Sequence, residues 1–206
     1  MTSPTSPRLV LASASSSRLR LLRDAGLDPE VIVSGVDEDV GDLDTASAVI
    51  VLAERKAFAV AGQCRGGLVL GCDSMLDLDG EALGKPPSAA EAAAIWRQLS
   101  GRQAELHTGH CLIDTRTGRH VSRAATTSVR FATPSEAEIS AYVASGEPLA
   151  FAGAFSISGY GAPFIEGIDG DPSNVLGLSL PLLRLMLAAI GVMIIDLWRE
   201  RAPLQA

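Results

Sequence analysis

Residues 68–72 read Leu-Val-Leu-Gly-Cys, an unbroken apolar run that ends at Asp73. A strand that is apolar at every position, rather than at alternate ones, is buried on both faces, and that burial is what α/β sheets provide. Such a strand needs helical layers, and the rest of the chain supplies patterns for them. Residues 8–12 form a second short apolar run that leads into Ser13-Ala14-Ser15-Ser16-Ser17. Leu19, Leu22 and Ala25 then recur at helical spacing, with Gly26 as the stop. Residues 31–36 read as a further strand ending in Asp37-Glu38-Asp39. Residues 45–62 read as a helix with Val49, Leu52, Ala53 and Val60 on one face.

Downstream, Asp79-Gly80 is a hairpin signal. Ser88 with Glu91, and Ser135 with Glu138, have capping-box spacing, and the second of these helices should stop near Gly146. Residues 105–114 and 120–131 read as paired strands around Thr117-Gly118. Residues 153–177 are Gly-rich and read as loops and short strands. Strands alternate with helices but hairpins interrupt the alternation, so the expected class is α/β with a mixed sheet. No linker or internal repeat divides the chain, which predicts one domain over residues 8–197 with tails at 1–7 and 198–206.

Bulk properties narrow the function classes. The 206 residues carry a formal net charge of −7, which disfavours a general nucleic-acid binder. A small polyanion would still be within reach, given a local basic cluster or a divalent cation. The three cysteines, Cys64, Cys72 and Cys111, lack Cys-x-x-Cys spacing and read as buried free thiols of a reducing, cytoplasmic setting. Residues 1–7 show no apolar core of a signal peptide. The apolar stretch 175–195 is interrupted by Pro181 and Arg184, so it reads as a buried helix after Ser179 rather than a membrane span.

Several residues could carry chemistry. Ser13 to Ser17 with Arg18 sit at a strand-to-helix junction, where free N–H groups, hydroxyls and one cation favour an anion; helix capping by Ser15 or Ser16 accounts for the same pattern. Lys56 lies four residues after Leu52 and seven after Val49, on the apolar stripe, aimed into a cleft or snorkelling to water. Asp73, expected at the carboxyl end of its strand, could hold a metal, take a proton from water, or simply serve a turn. Lys85 follows a hairpin strand, and the triplet around Glu38 could lend a metal ligand or be a solvated loop. His107, His110 and His120 show no ligand spacing, and the first two should face opposite sides of one strand.

Taken together, these stretches resemble a known family. Leu11-Ala12-Ser13-x-Ser15 with Arg18 and Leu22, then Val36-Asp37-Glu38, Leu52-Ala53 with Lys56-Ala57, and Gly71-Cys72-Asp73-Ser74 are similar to motifs of the Maf nucleotide pyrophosphatases. Leu83-Gly84-Lys85-Pro86, Leu99-Ser100-Gly101-Arg102, Thr108-Gly109, Ala152-Gly153-Ala154-Phe155, and Gly170-Asp171 with Asn174-Val175 and Gly177-Leu178 continue the series in order. The resemblance implies an extended twisted mixed sheet flanked by helices, with two lobes around a central cleft, as in the inosine triphosphatase superfamily. It implies hydrolysis of nucleoside triphosphates between the α and β phosphates, with Mg2+ or Mn2+. Asp73 would be the general base and, with Glu38, a metal ligand; Ser15, Arg18, Lys56 and Lys85 would grip the phosphates. A homodimer, a nucleotide-pool housekeeping role and a link to cell division are further implications. A nucleotide-binding regulator of septum formation without turnover is the competing reading. Ser17, Ser74 and Ser158 depart from the family's commonest residues at positions that choose the base, so the preferred base stays open.

Overall fold

The structure is a computed structural model describing residues 7–199. The apolar runs become strands β1 (Arg8–Leu11), β2 (Glu30–Val31), β3 (Gly67–Leu78), β4 (Glu81–Leu83), β5 (Gln103–Asp114), β6 (His120–Phe131) and β7 (Ile165–Asp169). They form one seven-stranded sheet in the order β2-β1-β3-β5-β6-β7, with β4 also on β3. The pairs β1–β2 and β1–β3 are parallel and the others antiparallel, so the sheet is mixed as expected. β3, β5 and β6 each run 12 residues, roughly 40 Å at the usual strand rise, and form the spine of the whole molecule.

Two expectations are corrected. Residues 31–36 do not form a strand; only Glu30–Val31 pairs with β1, and both residues are exposed. The Ile32 N–H still donates to the Leu11 carbonyl at 3.1 Å and its side chain packs on the cluster under α2, but Val33 is exposed and the pairing goes no further. Asp73 is not at the end of a strand either. β3 continues to Leu78 because Ser74, Met75, Leu76 and Asp77 keep their pairing with β5. What ends there is the neighbour. On the other edge of β3, β1 pairs with residues 67–70 and β4 with residues 76–78, which leaves residues 71–75 without a strand partner.

Helices cover both faces. Helix α1 (Ser16–Asp24) is capped by Ser15, whose hydroxyl accepts from the Arg18 N–H. Helix α2 (Thr45–Ala61) is capped by Asp44, and α3 (Ala89–Leu99) by Ser88. The Ser88–Glu91 box is half formed: Ser88 accepts from the Glu91 N–H, but no reciprocal bond from the Glu91 carboxylate joins it. The Ser135–Glu138 box at α4 (Glu136–Ala144) is complete. A short α5 (Pro172–Val175) and α6 (Leu180–Ala189), capped by Ser179, complete the set. Among the described residues, no helix is long and apolar enough to cross a membrane. The expected tails lie mostly outside the described residues, but the Arg199 N–H donates to the Gly26 carbonyl at 3.0 Å and so ties residue 199 to the exit of α1.

The core divides along the long strands. Leu68, Leu70 and Cys72 pack with Leu11, Leu22, Leu183 and Leu187 of β1, α1 and α6. Leu76 and Leu78 pack with Trp96, Leu106, Phe131 and Tyr142 of the α3/α4 end. Ser74 and Thr108 fall between these two lobes, and their hydroxyls are 2.9 Å apart. The opposite face carries α2 alone, over Val69, Cys111 and Ile113.

α2 lies on the sheet at two glycines. A Cβ on Gly71 would stand 2.2 Å from the Ala53 carbonyl oxygen, and one on Gly109 would stand 2.0 Å from that of Val49. Helix backbone touches strand backbone there, a separation that any side chain would forbid. Gly109→Ala must therefore lift the helix. We expect destabilisation of about 2–3 kcal/mol and a Tm lower by roughly 5–10 °C. Gly62→Ala, whose Cβ meets nothing within 4 Å, should leave Tm nearly unchanged in the same thermal melts. Equal melting of the two variants would refute the contact.

His110 generates a second prediction. Its Nε2 accepts the Ser179 N–H at 2.9 Å at the start of α6, while Nδ1 donates to the Thr108 carbonyl at 3.0 Å. Only the neutral ring can do both. Burial, and next the Arg18 charge, push its pKa down to about 4, against a smaller opposing pull from Asp171. The unfolded chain binds this proton near pH 6.5, so the stabilisation is complete above that pH and is lost on acidification toward pH 4. The loss should total about 3 kcal/mol. His110→Gln should melt lower at pH 7.5 yet lose less Tm than the wild type between pH 7.5 and 5; parallel profiles would refute the assignment.

Candidate active site

The unpartnered stretch of β3 is where the chemistry-bearing side chains gather. On the α1/α6 face Arg18 is buried, with 8% of its surface exposed. Its Nε donates to the Gly177 carbonyl at 2.7 Å, Nη1 to Ser13 Oγ at 3.1 Å and Nη2 to Ser74 Oγ at 2.9 Å. All three acceptors are neutral. Among the described residues no carboxylate forms an ion pair with Arg18. A buried cation without a counter-charge costs several kcal/mol, which makes this a place that favours an anion.

The Gly177 carbonyl is itself held through Asn174, which is fully buried. Asn174 Nδ2 donates to the Leu106 carbonyl and to Thr127 Oγ1, both at 3.1 Å, and its own carbonyl accepts the Gly177 N–H at 2.8 Å. The turn that fixes Arg18 is thus tied to both β5 and β6.

On the α2 face, Lys56 projects from the buried stripe of the helix onto Asp73. Nζ lies 2.5 Å from Asp73 Oδ1 and 2.6 Å from Glu38 Oε1. Lys56 and Asp73 are each 8% exposed. Asp73 Oδ2 has no hydrogen-bond partner among the described residues. The loop bearing Glu38 is held from α2 as well: Arg55 Nη1 donates to the carbonyls of Asp37 and Asp39, on either side of Glu38. Cys72 next to Asp73 is no nucleophile, because burial pushes its thiol up to about 12.

The other expected residues are spread more widely. Ser15 Oγ accepts the Arg18 N–H as the cap of α1, and Ser74 bridges Arg18 and Thr108. Lys85 is exposed and makes no ion pair among the described residues. Its place is nevertheless set, since the Gly84 carbonyl accepts the Gly153 N–H at 3.0 Å and the next turn is pinned by Trp96 Nε1, which donates to the Ala154 carbonyl at 2.8 Å. The backbone next to Lys85 is therefore held to the α3/α4 lobe. Ser158 sits on the segment after that turn, its hydroxyl 3.1 Å from that of Ser156. Neither Ser158 nor Ser17 bonds to the Arg18 or Lys56 groups.

Sequence reasoning passed over Thr108 and Asn174 as site builders, and Arg55 entirely. Polar residues within strand and turn patterns left no signal except their burial. A cavity of about 400 Å³ lies elsewhere, lined by Arg8, Asp28, Glu30 and Arg199. Its charges are already paired as Arg8–Glu30 and Arg199–Asp28, so it offers an anion no unpaired charge.

The donor set suits a hard divalent cation. Two carboxylates from separate elements converge on one positive charge, and Mg2+-type ions are commonly held by one or two carboxylates plus substrate phosphate oxygens. Among the described residues no cluster of three or more His, Cys, Asp or Glu side chains offers an all-protein cage. Glu38 and Asp73 would hold such an ion.

Comparison with known proteins finds relatives that match nearly the whole chain. The nucleoside triphosphate pyrophosphatase of Streptomyces coelicolor is 59% identical over 201 residues, covering 96% of this chain and 98% of the relative. That of Streptomyces avermitilis is 57% identical over 98% of this chain and 99% of its own. The Synechococcus elongatus protein of the same name is 52% identical over 95% and 99%. The solved Staphylococcus aureus Ham1 protein is a distant likeness, with a TM-score of 0.44 at 15% identity over 93% of both chains. The Maf-like protein family matches residues 8–190, a span that includes every element of the site. This chain belongs to the Maf-like protein family.

Proposed function

We propose that this protein is a nucleoside triphosphate pyrophosphatase, releasing pyrophosphate and a nucleoside monophosphate. The observation that carries the reading is the pairing, around one uncovered strand edge, of a buried guanidinium lacking a carboxylate with two carboxylates gathered on one ammonium. The first arrangement favours a polyanion, and the second supplies a base beside a cation site. Full-length relatives carrying the same activity in their name support it.

Arg18 draws in a phosphate, having its neutral partners already in place. Lys85 and Lys56 add further positive charge toward the phosphates. Asp73 Oδ2 accepts a proton from water as the water oxygen bonds to the α-phosphorus. The bond from that phosphorus to the bridging oxygen breaks, and pyrophosphate departs with the electron pair. A divalent cation held by Glu38 and Asp73 would neutralise charge on the phosphate oxygens when bound. Ser17, Ser74 and Ser158 are the positions proposed to choose the base. The protein is read as a cytoplasmic homodimer acting on free nucleotides; the three free, buried thiols suit a reducing compartment.

Two experiments test the reaction. In H2 18O with Mg2+ or Mn2+ and a panel of standard, methylated and deaminated triphosphates, label should enter the monophosphate and leave pyrophosphate unlabelled. Orthophosphate as first product, or label in the pyrophosphate, would end the proposal. Asp73→Asn should lower kcat by about 10²–10⁴-fold while triphosphate affinity stays within a few-fold. A variant that keeps its turnover would remove Asp73 from the base role, and a wild type that binds nucleotide but never cleaves it would favour the regulator of septum formation.

A further inference from the structure

Lys56 sits between the two carboxylates that the proposed function assigns to a metal. Its Nζ contacts Asp73 Oδ1 at 2.5 Å and Glu38 Oε1 at 2.6 Å. The acids come from different elements, β3 and the loop after β2, and the Glu38 side chain is otherwise 64% exposed and unbonded among the described residues. The contact through Lys56 is what joins them. Without a cation between them the two like charges would repel and the exposed Glu38 would swing into water.

The type of cation matters. Of the chain's 17 lysines and arginines, only two are lysine, Lys56 and Lys85. A guanidinium is a planar fork suited to one carboxylate edge. An ammonium is a compact point charge with three rotatable donors, and it can stand between two acids on different elements much as a metal ion does. Arg55, the preceding residue, takes the other task and binds the carbonyls on either side of Glu38.

We propose that Lys56 is a place-holder for the divalent cation: its ammonium keeps Glu38 and Asp73 together until a cation binds, would yield them to that cation, and would then turn to the phosphate that arrives with it. This inference rests on Glu38 and Asp73 being the metal pair. One charge is exchanged for another at the acids, and the displaced ammonium has no partner until a phosphate is present. Cation alone must therefore compete with Lys56, whereas cation with triphosphate gives every charge a partner. The two ligands bind with positive coupling, and linkage makes that coupling reciprocal.

The scarcity of lysine gives a direct readout. In wild-type protein labelled with 15N at the lysine ammonium groups, NMR should show two side-chain ammonium signals. Mg2+ alone should shift that of Lys56 and leave that of Lys85 in place; adding an α,β-methylene triphosphate should move both. In calorimetric titrations without nucleotide, Lys56→Met should bind Mn2+ about tenfold more tightly than wild type, and nucleotide should no longer tighten Mn2+ binding. If Mn2+ binds and pyrophosphate is released while the Lys56 signal stays still, or if Lys56→Met binds Mn2+ no more tightly, the place-holder is overturned and the pyrophosphatase reading stands. If neither Mn2+ binding nor pyrophosphate release is found, both fall.

Discussion

The contact of α2 backbone with β3 and β5 at Gly71 and Gly109 governs much else in this molecule. A helix resting on side chains would lie farther from the sheet, and Lys56 would then reach for Asp73 across a gap or snorkel to water. Because the helix lies directly on strand backbone, Lys56, Ala53 and Ala57 become buried, and the ammonium meets a carboxylate two residues beyond Gly71 on the same face of β3. The same helix then reaches outward through Arg55 to hold the Glu38 loop, and at its first turn Thr45 Oγ1 donates to Asp77 at 2.6 Å. One rigid element thus sets the distance between Asp73, Glu38 and Lys56, and it does so through the absence of two Cβ atoms.

The opposite face solves a different problem. Two apolar clusters share the long strands there, and a polar layer runs between them: Ser74, Thr108, Thr127, Asn174 and Arg18. Buried polar groups are tolerated when hydrogen-bonded, and nearly all of these are. The exception in charge is Arg18, which has three neutral acceptors but, among the described residues, no carboxylate paired with it. In a protein with a net charge of −7, leaving one buried guanidinium without an acid, when acids are plentiful, concentrates positive potential at a single point instead of spreading it over the surface.

Much of this was legible from residue patterns. The unbroken run at 68–72, the serine caps and the hairpin at Asp79-Gly80 foretold the mixed sheet and its helices, because each is a local signal with a local cause. Lys56 on an apolar stripe was legible for the same reason: helical periodicity alone places it inside. What local signals missed are facts about neighbours. Asp73 reads as a strand terminus because the apolar run stops there, yet the strand continues and it is β1 that stops, a difference visible only in the register. The stretch 31–36 is apolar enough for a strand, but its pairing stops at Val31 and Val33 is left exposed. Arg55 and Asn174 bind backbone carbonyls distant in sequence, and no spacing rule announces such bonds.

The division between guanidinium and ammonium follows from geometry. Arg18 occupies a position with three neutral acceptors, which a planar group with five donors can serve without an acid to match its charge. Lys56 occupies a place between two acids that belong to different elements, where a point charge is needed and directionality is a hindrance. Exchanging the two residue types would fail at both sites for opposite reasons: an ammonium at 18 would leave part of its fixed acceptor set unbonded, and a guanidinium at 56 would bind one acid edge and lose the other. The arrangement therefore depends on the shape of each cation as much as on its charge, and the uncovered edge of β3 is where the two differently shaped cations gather.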